Sequence, residues 1–156
     1  MYRWLITDSN PAGRIVKELG PVGYLSAEKE AVIADNSIID TEFSPVALQC
    51  LPELPWSIPA IEYRNRLDLR RERVFSIDPI TAKDLDDALH IKPLRDGYFE
   101  VGVHIADVTY FLKKESPLDT EAMNRGTSTY LADRVIPMLP SVLCEQLCSL
   151  NPGVDR

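Results

Sequence analysis

Residues 78–87 read Asp-Pro-Ile-Thr-Ala-Lys-Asp-Leu-Asp-Asp, and this segment constrains the fold more than any other. Carboxylates brought this close repel one another, and an isolated ionised carboxylate is costly to bury. The segment must either stay splayed in water or be gathered around a cation. Val74 to Ile77 reads as a strand ending at Asp78-Pro79, and Asp87 to Ile91 reads as its partner, so a hairpin-like return converges Asp78, Asp84, Asp86 and Asp87. Magnesium suits such a set, being a hard ion that takes carboxylate oxygens and keeps several waters. Two such ions about 3.5–4 Å apart can activate a water and neutralise the leaving oxygen of a phosphodiester. Other readings compete. An EF-hand fails, because Leu89 stands sixth from Asp84 where glycine is needed and Arg95 stands twelfth where glutamate is needed. Asp84-Leu85-Asp86 alone would serve a sugar-nucleotide transferase, but three residues specify little. An Asp-rich surface turn needs no ion at all. Spacing leaves metal-dependent phosphoryl chemistry and the solvated turn both open.

The rest of the chain predicts an α+β fold. Residues 2–8 read as a short strand, and Asn10 to Gly13 as a turn; Arg14 to Leu19 fit strand or helix. A helix is expected over Glu28 to Asp35 with Ser26 as N-cap, and a second from Ser44-Pro45 through Cys50. Pro52, Pro55 and Pro59, with Trp56 among them, forbid regular structure, after which Tyr63 to Glu72 regains helical composition. Beyond Arg73 the pattern turns β-like, and Asp96-Gly97 signals a hairpin into a long strand, Tyr98 to Ala106. Asp119 to Arg125 reads as a helix closed by Gly126, Ile136 to Pro140 as a rigid connector, and Ser141 as the cap of a helix to about Leu147.

Composition narrows the function classes. The apolar fraction of 45% argues against wholesale disorder, and no apolar run approaches the roughly 20 residues that span a bilayer, so no membrane role is expected. The start lacks a signal-peptide pattern and the three cysteines cannot form a closed disulfide framework, so a cytosolic or nuclear address is expected. Cys144 and Cys148 read as small buried side chains, and His104, mid-strand, as structural. A net charge of −7 sits awkwardly with polyanion binding, but its distribution is uneven. Arg64, Arg66, Arg70, Arg71 and Arg73 cluster just before an acid-rich stretch. They suit either a polyanion or local pairing with Glu62, Asp68 and Glu72.

Val74 to Leu89, with Val101-Gly-Val-His-Ile-Ala-Asp107-Val, Arg125-Gly-Thr-Ser-Thr-Tyr130-Leu, Val135-Ile-Pro-Met-Leu-Pro140 and Leu147-Cys-Ser-Leu-Asn-Pro152, resembles the opening of the catalytic domain of the RNB (ribonuclease II/ribonuclease R) exoribonucleases. The connector Cys50 to Pro59 is similar to that of the eukaryotic cytoplasmic Dis-three-like branch. The resemblance divides the chain into a remnant of a second cold-shock (OB-type) domain at 1–45, a connector at 46–72, and the N-terminal part of the RNB domain at 73–156. It implies 3′-to-5′ hydrolysis of single-stranded RNA, uridylated 3′ ends included, to nucleoside 5′-monophosphates, with Mg2+ or substitute Mn2+. It also implies a monomer acting in cytoplasmic mRNA decay. In it Asp78 and Asp87 are metal ligands, Asp86 is the aspartate essential to chemistry, Asp84 supports it, and Tyr130 clamps the RNA 3′ end. The family's later residues have no counterpart here, so the chain looks like a piece of such an enzyme, inactive or nearly so alone. A catalytically silent RNA-binding relative is the alternative.

Overall fold

The structure is a computed structural model and describes residues 13–156. The chain forms two compact units, Met1–Asp40 and Thr41–Arg156. Among the described residues no helix is long and apolar enough to cross a membrane.

In the first unit, the strand expected at 2–8 lies outside the described residues, and 14–19 is neither strand nor helix. Helix α1 (Leu25–Asp35) begins before the expected Glu28, and Ser26 lies inside it rather than capping it. Its N-cap, Tyr24, makes no side-chain bond. Glu28 supplies the anchor instead: its Oε1 accepts the Gly23 N–H at 2.7 Å, and Gly23 turns the chain at φ +86°.

The second unit starts with α2 (Pro45–Leu48), where Ser44 accepts the Ala47 N–H at 3.2 Å and Pro45 fills the first turn, as the sequence predicts. The helix expected over Tyr63 to Glu72 shrinks to α3 (Glu62–Asn65), because Arg66 leaves in extended conformation. Side-chain pairing accounts for this. Arg66 bridges Glu62 at 2.8 Å and distant Asp107 at 2.9 Å, while Arg70 bridges Asp68 at 2.8 Å and distant Asp155 at 3.1 Å. A continued helix would turn these groups away from their distant partners.

Strands β1 (Val74–Phe75), β2 (Asp87–Pro93) and β3 (Phe99–Ile105) form an antiparallel sheet in that order. The expected turn joins β2 to β3, with Asp96 at φ 62° and Gly97 at φ 78°, the left-handed pair that such a tight turn demands. In register, Asp87 faces Ile105 and His90 faces Gly102. His90 is buried and its ring lies flat over Gly102, where a Cβ would stand 2.1 Å from Cε1. Its Nδ1 lies 2.8 Å from His104 Nε2, which pairs the two rings within the sheet. The opposite face of the sheet is apolar and open: Val101, Val103 and Ile105 are 60, 63 and 65% exposed, and Ile91 is also exposed.

The core lies between α2, α4 (Pro117–Arg125) and a π-helix over Val142–Leu147, with Leu118, Ala122, Leu139, Leu143, Leu147 and Cys148 buried together. Ser116 caps α4 through the Asp119 N–H and Gly126 ends it. Two features depart from expectation. The supposed connector at Ile136 belongs to a ribbon of β4 (Thr129–Tyr130) and β5 (Val135–Ile136). Ser141 does not cap the π-helix.

Candidate active site

Backbone bonds from three directions set the aspartate loop. Asp87 opens β2, and the carbonyl of Asp86 accepts the Ala106 N–H at 2.9 Å just past the end of β3. The carbonyl of Leu85 accepts the Leu150 N–H at 2.9 Å, and the Leu85 N–H donates to Ser149 Oγ at 2.9 Å. Asp78 follows β1 and leads into a turn closed by Ala82 N–H on the Pro79 carbonyl at 2.9 Å.

The charges of the other three aspartates are felt at Asp86. Partial burial pushes the Asp86 carboxyl above its ordinary range, and the charges of Asp84, Asp87 and Asp78 push it further. The same field reaches beyond the loop. Burial, then Asp84 and Asp86, raise the Cys144 thiol. Tyr130, in β4, donates its hydroxyl to Asp84 Oδ2 at 3.1 Å; that bond, followed by burial and the charges of Asp84 and Asp86, raises the phenol. The Tyr130 side of this contact is open, the residue being 65% exposed.

The donor set is all hard oxygen, and a cation would relieve the repulsion that raises Asp86, so the chemistry fits magnesium. Convergence is less complete than the sequence suggests. Among the described residues no group of three or more His, Cys, Asp or Glu side chains stands close enough to share an ion. The fold brings the carboxylates within electrostatic reach of Asp86 without joining them at one point.

The arginine cluster divides. Arg66 and Arg70 pair locally with Glu62 and Asp68, as the local reading expects, and each also reaches a distant carboxylate, Asp107 or Asp155, that it did not name. Burial pushes the Asp107 carboxyl up, but hydrogen bonds from Thr109 and then Arg66 outweigh it and hold Asp107 below the usual carboxylate range. Arg66 and Arg70 also line a cavity of about 540 Å3 with Trp56, Tyr110 and His104, and none of the four aspartates lines it. Sequence reasoning missed Ser149, whose only signal was its place in Leu147-Cys-Ser-Leu-Asn-Pro152.

Residues 66–156 match the RNB domain, and residues 1–37 match the Dis3-like cold-shock domain 2 (CSD2). The chain belongs to the RNB exoribonuclease family. It is 55% identical to DIS3-like exonuclease 2 of Xenopus tropicalis over 96% of this chain and 18% of that one. RNase R of Mycoplasma genitalium, solved with double-stranded RNA, superposes with a TM-score of 0.72 at 36% identity, covering 82% of this chain and 22% of that one. Yeast Ssd1, described as a pseudonuclease, gives a TM-score of 0.77 at 26% identity, covering 97% of this chain and 19% of that one. The chain thus spans about a fifth of the length of these relatives.

Proposed function

We propose that this chain carries the first part of the catalytic centre of a 3′-to-5′ exoribonuclease that hydrolyses single-stranded RNA to nucleoside 5′-monophosphates. The observation that supports it most is an Asp86 carboxyl raised under the charge of three other aspartates, inside the segment that matches the RNB domain. In this reading Asp78 and Asp87 hold Mg2+, or Mn2+ in its place, Asp84 assists, and Asp86 serves the chemistry. When bound, the metal neutralises developing charge and activates a water. The exposed Tyr130 ring stacks on the terminal base, a contact that tolerates any sequence because every base has a π-face. The setting is cytoplasmic RNA turnover, with a monomeric enzyme and with uridylated 3′ ends among its substrates.

A chain spanning a fifth of its relatives is expected to release little or no nucleotide from a 3′-labelled oligouridine. Robust, Asp86-dependent degradation overturns that expectation. The metal reading is tested separately, by thermal unfolding with Mg2+. Stabilisation that vanishes in Asp78→Asn and Asp87→Asn supports it, and a wild-type chain indifferent to Mg2+ counts against it. The likeness to a pseudonuclease favours a second reading, an RNA-binding relative without chemistry. Against it stands the self-repelling cluster, which such a relative has no electrostatic reason to keep.

A further inference from the structure

We propose that Ser149 is a positioning residue for the aspartate loop, its hydroxyl fixing the backbone on both sides of Asp84 and so the directions of the Asp84 and Asp86 carboxylates. This rests on the reading of those aspartates as a metal centre. Ser149 is fully buried, 0% exposed, beside Cys148 and Leu147 in the apolar core, a place where packing alone calls for an apolar side chain. Its hydroxyl is instead directed at a loop more than sixty residues away. Oγ accepts the Leu85 N–H at 2.9 Å. Its single proton faces the Lys83 carbonyl and Asn151 Oδ1, both at 3.3 Å.

The next residue completes the grip, since Leu150 N–H donates to the Leu85 carbonyl at 2.9 Å. Both backbone groups of Leu85 are therefore bound by consecutive residues of the C-terminal segment, with Oγ standing where a strand would offer a carbonyl. Asp86 is held next door by Ala106, and the Asp84 carboxylate by Tyr130. The loop needs such ties because its side chains repel one another. On the loop itself Ser149 bonds only backbone groups, so it occupies none of the aspartate oxygens.

The test compares wild type, Ser149→Ala and Ser116→Ala, the last removing a helix cap outside the site. Mn2+ affinity is measured by calorimetry, and amide hydrogen exchange is followed by NMR. Ser149→Ala is expected to weaken Mn2+ binding at least tenfold and to speed Leu85 exchange at least tenfold relative to core amides such as Leu143. Ser116→Ala is expected to lower Tm with Mn2+ affinity unchanged. A Ser149→Ala chain that loses Tm but keeps wild-type affinity overturns the proposal and reduces Ser149 to a packing role. Should Ser149→Ala fail to fold, the wild type decides: a Leu85 amide exchanging as fast as a free loop overturns the proposal, and one as slow as Leu143 supports it. A wild-type chain that binds no Mn2+ overturns the metal reading and this proposal together, a failure distinct from unchanged affinity in the variant.

Discussion

The Arg125 side chain is 3% exposed, with a guanidinium engaged on several sides. It pairs with Glu121 at 3.0 Å, donates to the Thr41 carbonyl at 2.7 Å, and lies 3.9 Å above the centre of the Phe43 ring. Arg125→Ala leaves Glu121 half-buried without its cation, and is expected to lower unfolding free energy by about 3 kcal/mol, read from urea melts. The same pair gives a pH signature. Burial pushes Glu121 up, but bonds from Arg125 and Ser44 outweigh it and the carboxyl sits below its ordinary 4.5. A carboxyl lowered by folding stabilises the fold at pH above its unfolded value, and that contribution is lost as pH falls through the folded value. Melting curves should therefore show an acid limb below about pH 4.5 that Glu121→Gln flattens. The aspartates were legible in the sequence because charge density is visible without a fold. The Thr41 and Phe43 contacts of Arg125 and the reach of Ser149 were not, since each depends on residues brought together from far along the chain.

Local chemistry governed what could be read at the level of elements. Ser44-Pro45, Asp96-Gly97 and Gly126 announce their cap or turn by conformational demand alone, and the structure places each there. Ser116→Ala should cost about 1 kcal/mol, the usual worth of such a cap, visible as a lower Tm. Gly102→Ala is expected to destabilise more, because the new methyl meets the His90 ring and the ring has no open side to retreat to. Its NMR spectrum should show both imidazoles displaced. The misreadings have physical causes too. Tyr63 to Glu72 has helical composition, but bonds to Asp107 and Asp155 draw Arg66 and Arg70 elsewhere. The π-helix and the β4–β5 ribbon carry no periodicity that a short window can separate from a helix or a connector.

At the scale of the whole molecule, the open face of the β-sheet matters most. Val101, Val103 and Ile105 alternate along β3 as residues of a buried face do, yet they are mostly exposed, and among the described residues none covers them. Apolar patches of this kind mark contact surfaces or aggregation liabilities. Sedimentation of the isolated chain is expected to depend on concentration, and Val103→Lys to reduce that dependence without lowering Tm. A folded preparation should also brighten the dye ANS in the absence of denaturant, a signal ordinarily taken for partial unfolding. Here it would report a native surface, so fluorescence and melting behaviour would disagree about whether the molecule is intact, and the melting behaviour would be right.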